Sequence, residues 1–457
     1  MDNIRINQRD NVCVDLATGH KIAVEDIEKG TFIIKYGYPI GYATENIDKG
    51  ESVHSHNMKT GLKDILSYEY DPEYTELLPV EPFEIQAFVR KNGEIGIRND
   101  IWIIPTVGCV NSTAKTLAEK TGAICFSHPY GCSQLGGDMR TTQLVLKGLI
   151  NHPNAGGVLV LGLGCENNNI AEMKGVLGEI DQERIRFLNV QDCENEFDEG
   201  IRILEDLKTI ASQDKRETVL ASRLKIGLKC GGSDGYSGIT ANAVVGEAIN
   251  KICAMGAAAV LTEVPEMFGA EQVLFKRCIN KNVFQKAVKL INDFKLYFKN
   301  HGESVSENPS PGNKEGGITT LEEKSLGCVQ KGGAVPVTDV LDYGDTVKEK
   351  GLNLLNGPGN DIVSCTNLSA CGCHMVLFTT GRGTPLGTAV PTIKISSNNE
   401  LVNKKPHWID FNAYGFDKEK LSYQLIDIIK ETANGKLAKN EVNGCREIAI
   451  FKNGVTL

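Results

Sequence analysis

The sequence has no C-x-x-C pair among its 14 cysteines, so the close cysteine spacing of zinc ribbons and ferredoxin-type clusters is missing. It has no G-x-x-x-x-G-K-[ST] loop. Nor does a G-x-G-x-x-G lie between a strand and a helix with an acidic residue downstream, so no nucleotide cofactor is implied. Basic charge is in deficit, with 49 Lys+Arg against 58 Asp+Glu and a net charge of −9. That balance argues against nucleic acid, whose backbone demands clustered Lys and Arg. No segment approaches the ~20 apolar residues that span a bilayer. The opening MDNIRINQRD has no apolar run of signal-peptide length, and the expectation is a cytoplasmic protein without membrane contact. Cysteines in that compartment are thiols or metal ligands and not a disulfide framework.

What is present is an ordinary globular composition, 41% hydrophobic and 23% charged, with 48 glycines in 457 residues. The length exceeds what one hydrophobic core usually serves, so more than one domain is expected. Residues 1–72 read as a small β-rich module of short runs such as VCVDL and TFIIKYGYPIGYAT. The acidic, three-proline stretch DPEYTELLPVEPFE is a linker. Residues 85–212 then alternate strand and helix: strands at 101–106, 123–126, 157–161 and 184–190, helices after Asn111 and from about 141, 168 and 194. This is the rhythm of βαβ units on a parallel sheet. The connector SQDKRET precedes a third unit, 220–457, which resumes the pattern with strands at 224–228, 257–261 and 375–378, PTIKI, and a last strand EIAIF. Between residues 301 and 336 the pattern breaks into a long Gly/Pro-rich loop, whose Asn, Lys and Thr content suits polyol recognition. No internal repeat stands out.

The chemistry gathers at strand ends. LKIGLKCGGSDGYSGITAN stops an apolar strand at Cys230, Gly231, Gly232, Ser233 and Asp234 before a helix, and four other strand ends are as polar: Cys109 to Asn111, Ser127 to Gln134, Gly164 to Asn167, and Thr262 to Glu266. Any one of these could be a helix cap. In a single doubly wound sheet all five would converge on one edge, where open α/β sheets bind ligands. His128, held extended by Pro129, is either a rim imidazole or a buried core histidine. Arg382, between glycines in TTGRGTP, suits a substrate carboxylate or is a surface arginine, and Gly96-Ile97-Arg98-Asn99 offers a second basic group with the same alternatives. His54 and His56 share a face if their segment is extended, as a metal pair or as solvated side chains. These observations reach an α/β enzyme for a small, anionic, hydroxylated substrate.

The motifs KYGYPIGYA with VHSHN, RNDIWIIPTVGCVN, FSHPYGCSQLG, CGGSDGYSGITAN, LTEVPEMFGAEQ, NPSPGNKEGGITTLEEKSLGC and CHMVLFTTGRGTP closely resemble the altronate/galactarate dehydratase family of hydro-lyases, from the first residue to FKNGVTL. The resemblance implies an N-terminal SAF-like β module followed by parallel-sheet α/β domains. It implies loss of water from D-altronate to give 2-dehydro-3-deoxy-D-gluconate in hexuronate catabolism; galactarate dehydratase or a sulfolactate-type lyase is the alternative. It also implies a ferrous or manganous ion. The N-terminal module looks shorter than the family's usual one. A non-enzymatic reading takes the module as a sugar-acid-binding unit on an inactive scaffold. On the enzyme reading, Glu263, Asp234 and His128 are expected to supply base and acid, Arg382 with Arg98, Asn99 and Lys314 to hold the substrate, and His54 with His56 to ligate the metal. An iron–sulfur cluster drawn from Cys109, Cys132, Cys165, Cys230 and Cys373 is the alternative cofactor. The expected partners are a sugar-acid substrate and, in a possible homo-oligomer, further copies of the chain.

Overall fold

The structure, a computed structural model, describes residues 3–62 and 65–457. Its N-terminal part is a pair of small antiparallel sheets. One runs in the order Asn3–Ile4, Val12–Asp15, Lys21–Ala23, Ser52–Val53, and the other Phe32–Lys35, Tyr38–Ala43, Met58–Lys59. Short strands suffice because Val12, Ile33, Ile40 and Val53 close a common apolar centre. Here the structure shows a repeat that the expectation missed: AVEDIEKG (23–30) and ATENIDKG (43–50) match position by position, and Ile27 and Ile47 exchange both backbone hydrogen bonds. Such a short degenerate repeat stands out only once the two halves are seen paired.

The described residues that follow, 60–62 and 65–83, have no regular structure and cross the C-terminal domain, packing Tyr68 edge-on against Phe275 and Tyr70 against Phe284. Two parallel sheets then follow. The smaller is ordered Ile124–Cys125, Asp100–Pro105, Ala155–Gly162, Ile185–Asn189. The larger is ordered Val337–Leu341, Gly351–Leu355, Ala258–Leu261, Lys225–Cys230, Met375–Thr380, Thr392–Ser396, Phe411–Asn412, with every pairing parallel. Both read as near-continuous apolar runs because helices cover both faces. A three-stranded antiparallel sheet, Glu217–Leu220, Glu84–Val89 and Ile95–Gly96, joins them.

This arrangement corrects the expectation that five polar strand ends meet at one edge. The two parallel sheets abut where their strands begin: Asn154 donates to the His374 carbonyl (2.9 Å) and His152 Nε2 meets the Cys373 carbonyl (3.1 Å). Their carboxyl edges are therefore separate sites, with Cys109, Cys132 and Cys165 on one and Cys230, Asp234 and Glu263 on the other. Cys373 precedes its strand and lies at the opposite end from either edge.

In the larger sheet the chain starts at the centre, in Lys225–Cys230, adds strands on one side, then crosses to add Met375–Thr380 on the other. The crevice beside Lys225–Cys230 is thus a topological switch point, where doubly wound sheets bind ligands.

Candidate active site

At that switch point the turn after Cys230 lies against the turn after Thr380. Gly381 and Arg382 both donate their amides to the Gly232 carbonyl at 3.0 Å. Gly381 has to be glycine, since a Cβ there would stand 2.3 Å from Asp234 Cγ. Gly235 is equally constrained, its Cβ position lying 1.9 Å from the Gly19 carbonyl of the N-terminal module. Backbone from three parts of the chain is thereby drawn around Asp234.

Asp234 is buried and accepts from Ser237 Oγ (2.7 Å), Ser397 Oγ (2.8 and 2.9 Å to its two oxygens) and Asn398 Nδ2 (2.8 Å). Three donors leave room on a carboxylate with about four acceptor sites. Burial raises its pKa above the ordinary 3.8, opposed by those three hydrogen bonds. The carboxyl borders a cavity of about 450 Å³ that it shares with Arg382, Tyr236, Asn398, Lys404 and Thr18 of the N-terminal module. The volume suits a small-molecule site, typically roughly 300–1,000 Å³. Arg382 is half-exposed there, with Nη1 on the Gly312 carbonyl and Nη2 on Glu315, each 3.2 Å away.

Asp234 also lines a second, much smaller space of about 10 Å³, with Lys324 and Cys328 among its walls. Behind it is a fully buried nest. Cys230 Sγ is 3.2 Å from Cys328 Sγ and 3.2 Å from Glu266 Oε2, which is itself 3.0 Å from Cys328 Sγ. Lys324 pairs with the other oxygen of Glu266 at 2.8 Å. Lys229 pairs with Glu263 and with Asp361, and Lys331 reaches Glu263 at 3.4 Å. Glu263 adopts φ 71° and accepts the Cys230 amide (3.0 Å), which fixes the end of the strand. Burial would lift the Glu266 carboxyl, but Lys324, Lys229 and Lys331 prevail and hold it below the carboxylate range. The Cys328 thiol is pushed up, first by its hydrogen bond with Cys230 and then by burial.

The N-terminal module closes this region from outside. Lys21 donates to Glu323 (2.8 Å), Thr319 Oγ1 (2.9 Å) and the Gly317 carbonyl (2.9 Å), and Lys35 takes the other Glu323 oxygen at 2.8 Å. Thr60 and the Gly61 amide hold neighbouring Glu322. Residues 301–336, expected as a loop, carry the helices Pro311–Glu315 and Leu321–Cys328 that present these groups.

Comparison with known proteins decides the family. Residues 221–456 match the description "D-galactarate/Altronate dehydratase, C-terminal", residues 87–212 "D-galactarate dehydratase/Altronate hydrolase, second domain" and residues 1–61 "Altronate/galactarate dehydratase SAF domain". The chain is similar to the altronate dehydratase of Escherichia coli (strain K12), 52% identical over 99% of this chain and 94% of that protein. It is similar to that of Bacillus subtilis (strain 168), at 51% over 97% and 93%. The galactarate dehydratase (L-threo-forming) of E. coli is 30% identical over 92% of this chain and 86% of its own length.

The chain belongs to the altronate/galactarate dehydratase family.

Within this family member, the residues expected from sequence fall in three places. Asp234, Glu263 and Arg382 come together at the larger sheet's edge, although Glu263 borders neither cavity and instead holds Lys229 and the Cys230 amide. Lys314 is exposed nearby, and its carbonyl meets His54 Nε2 at 3.0 Å.

Four expectations need correction. His54 and His56 are not side by side on a strand: residues 54–57 form a turn closed by the Asn57 side chain on the His54 amide (2.9 Å), with the His54 ring between Ser55 Oγ and Lys314 and His56 exposed. His128 lies on the smaller sheet, buried, with Nε2 on the Pro105 carbonyl (2.8 Å) and Nδ1 facing the Tyr130 amide (3.2 Å); burial takes its pKa down to about 4, against the Pro105 bond. Arg98 spends its guanidinium on Glu441 (2.7 and 2.8 Å) and three backbone carbonyls. Asn99 braces Arg90 and the Ala211 carbonyl, each at 2.8 Å. With all five of its N–H groups engaged within the protein, Arg98 has no donor left for a substrate.

Among the described residues, Cys230, Glu266 and Cys328 form a group whose ligand atoms all lie within 4.8 Å of one another, a possible metal-binding triad. The donor set fits a borderline-soft divalent ion such as iron better than manganese, which favours oxygen. Charge also fits, because the nest is near balance with neutral thiols and stays so if a divalent cation displaces two thiol protons. Sequence reading passed over Lys229, Lys324 and Lys331. The available signal was Lys229 itself, in a central parallel strand buried on both faces, where a lysine must find an acidic partner.

Proposed function

We propose that this chain dehydrates D-altronate to 2-dehydro-3-deoxy-D-gluconate, in the cytoplasm, at the cavity between Asp234 and Arg382. The observation that carries this reading is that one buried, partly free carboxyl and one half-exposed guanidinium face the same 450 Å³ space at the switch point. Half-identity to two altronate dehydratases over nearly the whole chain supports the choice of substrate.

Arg382 offers a planar fork to the substrate carboxylate, which sets C2 and C3 toward the floor of the cavity. Asp234 takes the C2 proton; burial raises its pKa above the ordinary aspartate value, which makes it a better base. The C3–O bond then breaks, and the protonated Asp234 returns its proton to the leaving hydroxyl as water. The resulting enol ketonises by taking a proton at C3 as its C2 hydroxyl gives one up to solvent. Asn398 and the module's Thr18 line the same space and suit the remaining hydroxyls. A ferrous ion held by Cys230, Cys328 and Glu266 would supply Lewis-acid stabilisation of negative charge developing near that wall. Glu263, with Lys229 and Lys331, keeps the strand end in place and positions those thiols.

The free state of all 14 cysteines agrees with a reducing compartment, and no helix among the described residues is long and apolar enough to cross a membrane. The test is a substrate panel with ferrous iron, assayed for a 2-keto-3-deoxy acid. Altronate should react and galactarate should not; the reverse preference would overturn the assignment.

A further inference from the structure

We propose that Cys109, Cys132 and Cys165 hold a [4Fe–4S] cluster at the carboxyl edge of the smaller sheet, a site separate from the dehydration site and independent of that reading. Of the 14 cysteines, three are exposed, and they are these three. They follow three adjacent strands, Cys109 after Asp100–Pro105, Cys132 after Ile124–Cys125 and Cys165 after Ala155–Gly162. Small apolar thiols are ordinarily buried, as eight of the other cysteines are.

The three loops that carry them are tied to one another. The Gly108 amide donates to the Tyr130 carbonyl, the Asn168 amide to the Gly131 carbonyl and the Ser133 amide to Asn167 Oδ1, each at 2.9 Å. Every cysteine is thus within three residues of a bond to a neighbouring cysteine's loop. Glu166 adds Thr106 Oγ1 (2.6 Å) and the Gly164 amide (2.6 Å), and His128, between Pro105 and Tyr130, braces the same frame. The loops are also tightly constrained: Ser133 has φ 57°, and Gly131, at φ 102°, has no room for a Cβ, which would stand 2.0 Å from the Thr106 carbonyl.

The chemistry points to an anionic sulfur-ligated group. The helices Asn111–Thr121, Gly136–Ile150 and Ile170–Leu177 all begin just after these loops, so three helix N-termini favour negative charge at this edge. Gln191 Nε2 already donates to Cys165 Sγ at 3.6 Å, the kind of bond that tunes cluster potentials. A single ion does not fit. Two thiolates on one zinc-sized ion stand at most about 4.6 Å apart, twice the ~2.3 Å bond, whereas these sulfurs do not form a group within 4.8 Å. A cluster places each thiolate on a different iron, so its sulfurs need not meet within that distance. The nearby thiols are engaged elsewhere, Cys193 on the Asn189 and Val190 carbonyls (3.5 and 3.4 Å) and Cys125 on Ser127 (3.4 Å). Three thiolates leave the fourth iron to water or an oxygen ligand.

The test is anaerobic reconstitution of the full chain with ferrous salt and sulfide, read by visible absorption, iron and acid-labile sulfide. The expected result is a broad visible band with about four irons and four sulfides per chain beyond any iron at Cys230. Cys109→Ser, Cys132→Ser and Cys165→Ser should each lose the band with unchanged circular dichroism, while the Cys230→Ser/Cys328→Ser double variant keeps it. A colourless, sulfide-free protein would overturn the proposal. So would a band that survives the triple substitution, or one sulfide-free metal ion lost with it.

Discussion

Lys21 of the N-terminal module and Glu323 of the C-terminal domain meet at 2.8 Å with both side chains fully buried, 302 residues apart in sequence. Lys35 holds the other carboxylate oxygen. This two-lysine grip on one glutamate fixes the module over the wall of the candidate site. Removing one partner of a buried pair costs about 3–5 kcal/mol. Glu323→Gln strands two buried cations, so the module should come away and segment 65–83 should be cut much faster in limited proteolysis. Wild-type cleavage rates in that variant would show that apolar contacts alone dock the module.

The same pair gives a pH dependence. Burial would raise the Glu323 carboxyl, but Lys21 and Lys35 bring it from 4.5 down to about 2. A carboxylate with a depressed folded pKa contributes stability that is present above 4.5 and lost as pH falls toward 2. Module docking, followed by the same proteolysis, should weaken across that window. The second domain should weaken earlier: His128 and His152, each brought to about 4 chiefly by burial, refuse a proton that the unfolded chain takes up near 6.5. Amide protection factors, which remove the intrinsic pH dependence of exchange, should fall in strands Asp100–Pro105 and Ala155–Gly162 as pH drops from 6.5 to 4, and a flat profile would contradict the buried neutral imidazoles.

Arg382→Lys keeps the charge but loses the fork. KM for altronate should rise about tenfold or more with a smaller change in kcat, since the contact is with the unreacting carboxylate in ground and transition states alike. Unchanged steady-state kinetics would remove Arg382 from the substrate site.

Much of the fold was legible in the sequence because long apolar runs that stop at Gly, Cys or Thr mark buried parallel strands, as at 101–106, 157–161, 224–228 and 375–378. The strands Val337–Leu341 and Gly351–Leu355 were not, because Asp339 sits in an edge strand and Asn353 is buried with its amide on the Ala259 and Glu349 carbonyls. Helix Asp361–Ala370 is buried almost all round and so lacks an amphipathic period. EIAIF alternates like a strand but pairs with none; Ile448 and Ile450 face the second-domain core as the tail crosses it to bond Leu457 to the Ser133 carbonyl. At the candidate site, the turns that carry Asp234 and Arg382 were legible from the glycines that end the strands before them, in CGGSD and TTGRG. The division of the polar ends between two sheets was not, because a βαβ rhythm is identical whether the strands join one sheet or two.

Cys230→Ser and Cys328→Ser should each weaken ferrous iron binding by an order of magnitude or more in anaerobic equilibrium dialysis, because a hydroxyl replaces a soft donor. Binding should also release protons, measurable in weakly buffered solution. Iron affinity unaffected by both substitutions would move the metal away from this nest.

The most direct measurement is the turnover of altronate by Asp234→Asn protein with its iron content and circular dichroism matched to wild type. Loss of the base predicts a fall in kcat of about 10²–10⁴ with little change in KM, together with loss of the acid limb that the wild-type profile should show above pH 3.8. A variant that forms the 2-keto-3-deoxy product at the wild-type rate would contradict the placement of the reaction at Asp234.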